Sequence, residues 1–381
     1  LQYIGKVLDK FISNTETFSY VSDNKFSALI RYNDTADIIN RVKLINALVV
    51  NYPGFKNENY AVRVGVGIYP INRRENLSIQ QMLEKAMLAH RMKLNTDNRI
   101  YIFYEDSMGE REEREREMEG KMEQALKNGD FQVFFQPKLD IKHDRLEGAE
   151  ALVRWYDPQK KTYILPNNFV SLFENNGFIS KLDGYVYEQV CKYLHQALVQ
   201  GYRIVPVSVN VSRVTAMQEG FLDFYINTKK KYQIADGYIM IEFTESFAQE
   251  NYEELRRIIL RLRSEGFKCS IDDFGSGYAS YSILKELPMD ELKLDQFFIK
   301  PGMDPKKDDT LLRSIIKLAD DLGMKTTQEG VETYAEVERL KQLGCTTIQG
   351  YYYSKPISMY DYIDFVNTHT QKRQIYDTDN Q

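Results

Sequence analysis

Residues 131–155 read FQVFFQPKLDIKHDRLEGAEALVRW. Two strand-like runs stand in this stretch, Phe131 to Leu139 and Gly148 to Trp155, both rich in β-branched or aromatic residues. Only a short polar turn around Lys142 to Arg145 divides them. That is too little chain for a parallel crossover, so the pair is expected to be antiparallel. Further strand-like runs follow at Ile204 to Val211, Tyr238 to Phe243, Cys269 to Phe274, Glu291 to Phe298, Met324 to Gln328 and Cys345 to Tyr352. Amphipathic stretches such as Leu182 to Val199, Tyr252 to Arg263 and Thr310 to Leu322 separate most of them. Strands alternating with helices in this way predict an α/β fold, a modified (β/α)8 TIM-like barrel with an antiparallel first strand.

Outside the barrel region, length and composition set the frame. At 381 residues the chain is about right for two domains. A hydrophobic fraction of 43% with 28% charged residues is that of a globular protein in water, and no window approaches the roughly 18 unbroken apolar residues of a membrane span. Lys plus Arg is 50 against 55 Asp plus Glu, a net charge of -5, which gives no global attraction to a nucleic-acid polymer or an anionic membrane. Cys191, Cys269 and Cys345 are odd in number and form no CxxC pair, which disfavours a disulfide framework and a thiolate zinc site and fits a reducing cytoplasm. Leu1 opens an amphipathic pattern, Ile4, Val7, Leu8 and Phe11, instead of a signal segment. The protein is therefore expected to be cytoplasmic, or the cytoplasmic part of a longer one that begins upstream.

The clearest boundary is the run from Glu110 to Lys127, where Glu110 and Arg114, Glu112 and Arg116, Glu117 and Lys121, and Glu123 and Lys127 stand four apart. This predicts a solvated connecting helix that gains apolar residues only near its end, at Met118, Met122, Ala125 and Leu126. Its nearly cancelling charges do not suit a basic nucleic-acid arm. The expected division is residues 1–105, a connecting helix over 106–128, the barrel over 129–370 and a polar tail over 371–381.

From the second strand onward each run carries a polar residue: Glu150, Asn210, Glu242, Asp272 with Asp273, Lys293, Glu329 and Gln349. In a barrel such residues converge on one mouth. Any one alone is more readily an ordinary solvated group; the recurrence is what argues for a site. Carboxylates crowded together repel one another and need cations. Oxygen donors dominate and the histidines form no HExxH, which favours Mg²⁺ or Mn²⁺ over zinc. The adjacent Asp272 and Asp273 suit two cations a few ångströms apart, as in two-metal hydrolysis of phosphate esters. Lys293 is then expected to be the only amine among the acids. Gly275 and Gly277 allow the tight turns that a ligand-bearing loop needs, and no P-loop is present in the sequence.

At these residues the sequence resembles the EAL phosphodiesterase family, which hydrolyses cyclic di-GMP to the linear dinucleotide pGpG, over Phe131 to Asp364. The blocks that carry the resemblance are Phe135-Gln136-Pro137, Glu150-Ala151-Leu152, Val209 to Ser212, Glu242 to Glu245, Asp272 to Gly277, Leu292 to Asp295, Gln328 to Glu332 and Gln349 to Tyr351, in family order. The resemblance implies that Glu150, Asn210, Glu242, Asp272, Asp273 and Glu329 coordinate the metals, with Lys293 near the attacking water. It implies that Glu245 anchors the Asp-Asp loop and that Gln136, Arg154 and Gln349 contact substrate, Arg154 with a planar fork suited to phosphate. Glu332 and Asp183 carry less weight, as residues that orient neighbours. Ser276 in place of Thr and Tyr156 in place of His depart from the common pattern without removing a ligand. A homodimer through the barrel is expected from the same resemblance.

The first domain is similar to the later part of a GGDEF cyclase domain, through Val64 to Tyr69 and the helix Met82 to Lys93 followed by Asn98-Arg99. Its signature is broken. Ser22-Asp23-Asn24-Lys25-Phe26 stands at the expected place, without the glycines that let backbone meet phosphate or the acidic pair that holds metal. No Arg occurs before Arg31, so the family's inhibitory Arg-x-x-Asp site is missing as well. A partial α+β GGDEF-like domain acting as sensor, dimerisation surface or scaffold is expected. Two rivals stand against the phosphodiesterase reading, one an enzyme and one a receptor. An enolase-type Mg²⁺ barrel is disfavoured by the Asp272-Asp273 pair. A receptor that binds cyclic di-GMP without turnover is disfavoured by the intact acid set and Glu245.

Overall fold

The computed structural model describes residues 1–52, 64–72, 74–94, 100–275, 281–300, 302 and 304–378. The expectations placed on Ser276, Gly277, Asn98 and Arg99 fall outside this set. The chain divides into two compact units, Leu1–Gly120 and Lys121–Gln381.

The first unit begins with helix α1 (Gln2–Phe11), whose Val7 and Leu8 are buried. A hairpin follows, β1 (Thr17–Ser22) against β2 (Lys25–Leu29), then helix α2 (Thr35–Val50), started by the Asp34 carboxylate accepting from the Asp37 N–H. Strand β3 (Val66–Ile68), helix α3 (Ile79–Leu94) and strand β4 (Tyr101–Phe103) complete it, with β3 and β4 parallel. Gly67 has a steric reason to be glycine, since a Cβ there would lie 2.1 Å from the Ala86 carbonyl oxygen of α3. Arg41 ties the unit together. Its guanidinium donates to both Glu16 carboxylate oxygens, each at 2.9 Å, and to the Phe11 carbonyl at 2.6 Å. That pairing holds the Glu16 carboxyl well below the usual carboxylate range, against a smaller opposing effect of burial. Helix α4 (Asp106–Asn128) carries the charged run, with Arg116 to Glu112 at 3.1 Å and Arg114 to Glu110 at 3.7 Å.

The second unit alternates strand and helix. Its strands are β5 (Phe131–Asp140), β6 (Arg145–Asp157), β7 (Thr162–Ile164), β8 (Val207–Asn210), β9 (Ile239–Thr244), β10 (Lys268–Phe274), β11 (Glu291–Leu294), β12 (Lys325–Gln328), β13 (Thr347–Gln349) and β14 (Ile357–Ser358). Its helices are α5 (Val170–Asn176), α6 (Ile179–Val199), α7 (Arg213–Ala216), α8 (Phe221–Lys231), α9 (Glu245–Glu250), α10 (Tyr252–Ser264), α11 (Tyr281–Glu286), α12 (Pro305–Asp321), α13 (Tyr334–Leu343) and α14 (Met359–Thr378). The sheet order is β14-β5-β13-β12-β11-β10-β9-β8-β6-β7, and an additional β5–β6 pairing closes the eight central strands into a barrel. Strand β5 runs antiparallel to both β6 and β13, while the remaining barrel neighbours are parallel. The antiparallel pair read from the sequence is thus one side of a single reversed strand.

Several strands are shorter than their apolar runs. Strand β8 starts at Val207 because Pro206 has no N–H to give the ladder. Strand β11 stops at Leu294, where the Asp295 carboxylate accepts from the Phe297 N–H at 2.7 Å and turns the chain into a 3-10 helix, Gln296–Phe298. Strand β13 keeps only Thr347–Gln349 of its run.

Alternation along the strands sets the site. Ile239, Ile241, Cys269, Ile271, Leu292, Leu294 and Ile348 are fully buried and join one core with helix residues such as Leu194, Ile259, Leu312 and Leu340. The residues between them point the other way, into the barrel. Apart from Met240 they are polar: Ser208 and Asn210, Glu242, Ser270 and Asp272, Glu291 and Lys293, Thr327, Thr347 and Gln349, with Gln136 and Lys138 on β5 and Glu150 on β6.

Candidate active site

Lys293, fully buried at the centre of the barrel mouth, pairs with four carboxylates from different strands or strand ends. Its Nζ lies 3.1 Å from Glu150 Oε2, 2.7 Å from Glu242 Oε2, 3.0 Å from Asp272 Oδ1 and 2.7 Å from Glu329 Oε1. Asn210 Nδ2 donates to Glu150 Oε1 at 2.7 Å, and Gln349 Nε2 donates to Glu150 Oε2 at 2.7 Å and to Gln136 Oε1 at 3.1 Å. The structure therefore gathers Gln136, Glu150, Asn210, Glu242, Asp272, Lys293, Glu329 and Gln349 into one cluster. Asp273 follows at the exposed rim in a left-handed conformation, φ +56°, which turns its side chain away from the direction of the strand.

Carboxylate oxygens of Glu150, Glu242 and Asp272 lie within 4.8 Å of one another, as do those of Asp272, Asp273 and Glu329. Asp272 belongs to both groups. Burial pushes Asp272 well above the usual carboxylate range, since Lys293 only partly offsets it and Glu329 adds repulsion. Burial likewise raises Glu329, to about 6, against the pull of Lys293. At Glu242 burial is outweighed by Lys138 and Lys293, which bring it down to about 2. The acids nearer the mouth are thus short of positive charge, whereas the deeper one is not.

The loop that carries Asp273 is tied from behind. Buried Glu245, the first residue of α9, accepts from the Gly275 N–H through Oε2 at 2.9 Å and from Gln249 Nε2 through Oε1 at 2.7 Å. Gly275 has φ +96°, and a Cβ there would lie 2.2 Å from the Phe298 ring, so only glycine fits. Asp183 orients the chain after β8 by accepting from the Ser212 N–H at 3.0 Å and the Thr215 hydroxyl at 2.5 Å. Burial raises its carboxyl to about 6 despite those donors. Glu332 is exposed beside the start of α13, outside the cluster. Arg154 is half-buried, its guanidinium donating to the Val153 carbonyl at 2.8 Å; burial lowers its pKa, with Tyr351 and Glu150 opposing.

One expectation needs correction. Lys293 is not the only amine among the acids, because Lys138 enters from β5 and its Nζ donates to Glu242 Oε1 at 2.8 Å, Glu291 Oε2 at 3.1 Å and Ser208 Oγ at 2.8 Å. Thr327 in turn donates to Glu291 Oε1. Sequence reasoning passed over Lys138 and Glu291, although each stands two residues from a chosen one, Gln136 and Lys293, and so shares its face.

An eight-stranded α/β barrel with its acids gathered at one mouth is the class that fold and site define. The family described as EAL domain matches residues 119–356, and the chain belongs to that family. It is 28% identical over 344 residues to the bifunctional diguanylate cyclase/cyclic di-GMP phosphodiesterase MucR of Pseudomonas aeruginosa, covering 90% of this chain and 50% of MucR. It is 26% identical to the signaling protein YkoW of Bacillus subtilis over 96% of this chain and 46% of YkoW. The chain thus spans about half the length of these relatives. Among solved structures, a PaMucR phosphodiesterase in complex with c-di-GMP superposes with a TM-score of 0.61 at 31% identity, over 65% of this chain and 99% of that one. Among the described residues no helix is long and apolar enough to cross a membrane.

Proposed function

We propose that the barrel unit hydrolyses cyclic di-GMP to linear pGpG with Mg²⁺ or Mn²⁺. The observation that carries this reading is the sharing of Asp272 between two carboxylate groups, Glu150 with Glu242 on one side and Asp273 with Glu329 on the other. The donor set fits hard divalent cations, since it is all oxygen and its mouth-side acids lack compensating charge. Glu150, Asn210, Glu242, Asp272, Asp273 and Glu329 would hold two of them. When bound, such a pair supplies Lewis-acid stabilisation of charge on the phosphate oxygens.

The chain's own groups do the rest. Arg154, whose Nη1 donates to the Val153 carbonyl, would offer its remaining N–H groups to a phosphate, and Gln136 and Gln349 present amides beside Glu150 to fix the ligand. Lys293 holds its proton among the acids and offsets their charge close to the attacking water. In the reaction the water oxygen bonds to phosphorus, the bond from phosphorus to the ribose 3′ oxygen breaks, and a proton passes to that leaving oxygen. Glu245 anchors the Asp-Asp loop through Gly275. The relatives named as cyclic di-GMP phosphodiesterases support this substrate, as does the c-di-GMP complex of the MucR barrel. Separation of the products after incubation with cyclic di-GMP and either metal tests the reading, with Glu150→Ala and Asp272→Ala as controls. Binding without linear product would favour a silent receptor.

The first unit, in this reading, is a GGDEF-like remnant without cyclase chemistry, separated from the barrel by the helix over 106–128. Asp23 and Asn24 form the tight turn of the β1–β2 hairpin, with Asp23 at φ +50° and Lys25 opening the return strand, where the cyclase signature would need glycines and an acidic pair. A cytoplasmic homodimer paired through the barrel completes the proposal.

A further inference from the structure

Beneath the mouth, Lys138 is 3% exposed and Glu242 1% exposed. The ammonium has three hydrogens to give, and three acceptors receive them: Glu242 Oε1, Glu291 Oε2 and Ser208 Oγ, at 2.8 to 3.1 Å. Glu291 cannot turn away, because its other oxygen accepts from Thr327. Lys138 is thereby fixed by strands β8 and β11, and it fixes Glu242 in turn. The two Glu242 oxygens are divided between two amines, Oε1 downward to Lys138 and Oε2 upward to Lys293.

We propose that Lys138 is a positioning residue for Glu242, committing one carboxylate oxygen to the barrel interior so that Glu242 offers a single oxygen to a metal at the mouth. The inference rests on the metal-site reading above. Glu291 balances the charge that Lys138 brings, so the pair adds an orienting donor without adding net positive charge under the site. Partners placed behind a ligand in this manner commonly carry about 10- to 100-fold of metal affinity. The residue acts through Glu242 and touches neither substrate nor metal.

Calorimetric titration of the full chain with Mn²⁺ alone tests this. Lys138→Met by itself would leave Glu291 buried and unpaired, which can prevent folding. The deciding variant therefore joins Lys138→Met to Glu291→Gln, and Glu291→Gln alone keeps the ammonium on Glu242. The double variant is expected to melt cooperatively, to bind Mn²⁺ about 10- to 100-fold more weakly and to need correspondingly more Mn²⁺ for half-maximal turnover, with KM for cyclic di-GMP unchanged. Glu291→Gln leaves the Lys138 charge unbalanced but keeps its bond to Glu242, and is expected to lose clearly less Mn²⁺ affinity than the double variant. Equal Mn²⁺ affinity in the double variant, or an equal loss in Glu291→Gln, would overturn the proposal while leaving the metal reading intact. A wild-type chain that binds no Mn²⁺ would overturn that reading, and this inference with it.

Discussion

The Glu245 carboxylate accepts a hydrogen bond from the Gly275 backbone N–H, 2.9 Å away, and so joins the start of helix α9 to the loop that follows Asp272 and Asp273. The two residues stand thirty positions apart on neighbouring parallel strands' ends, β9 and β10. Gly275 accepts this geometry only because it has no side chain to strike Phe298.

If that bond holds the acids in register, Glu245→Ala should leave the barrel folded while weakening Mn²⁺ binding and lowering turnover by roughly 100-fold, as a displacement of about 1 Å can do. Metal titration and steady-state rates, with circular dichroism for the fold, check this. Wild-type affinity and rate in the variant would exclude an anchoring role.

Lys293 offsets four acids at once, so its removal should be felt most when no divalent cation is present. Lys293→Ala is expected to lose about 3 to 5 kcal/mol of stability in chelator. Mn²⁺ should restore more of that loss than it adds to wild type, while turnover stays low at saturating metal. Denaturant unfolding with and without Mn²⁺ measures the difference; equal metal stabilisation in both proteins would contradict the charge-balance account.

Asp183 makes a prediction in pH. Its folded carboxyl is raised to about 6 from 3.8, so the native state holds the proton more tightly than the unfolded chain does. Stability from this group is fully present below pH 3.8 and is lost as pH rises through about 6, by at most about 3 kcal/mol. Comparing urea unfolding of wild type and Asp183→Asn at several pH values isolates it. The variant should show a flatter decline between pH 4 and about 6, and parallel curves would refute the assignment.

No cyclic di-GMP should form from GTP and Mg²⁺, measured in the Glu150→Ala chain so that any product survives. Synthesis there would show that the Asp23-Asn24 turn does not disable the first unit.

The sequence made the barrel legible because β-branched runs recur with helices between them, and because the short turn at Lys142 to Arg145 permits only an antiparallel start. It also exposed the mouth, since Glu150, Glu242, Asp272 and Glu329 stand within or just beyond the apolar runs of successive barrel strands. What escaped was the second layer. Lys138 and Glu291 are single charges within or at the start of strand runs that match none of the family blocks' acids, and only barrel closure brings Lys138 of β5 to Glu242 of β9 and Glu291 of β11. Strand ends at Val207 and Leu294 escaped for local reasons, a missing proline N–H and the Asp295 turn. Apolar runs alone do not reveal either.

The most direct measurement of the central claim is incubation of the purified chain with cyclic di-GMP and Mn²⁺ or Mg²⁺, followed by chromatographic separation of the nucleotides. The account predicts linear pGpG that depends on divalent metal and falls by orders of magnitude in Glu150→Ala and Asp272→Ala. Absence of linear product at every metal concentration, with cyclic di-GMP still bound, would contradict it.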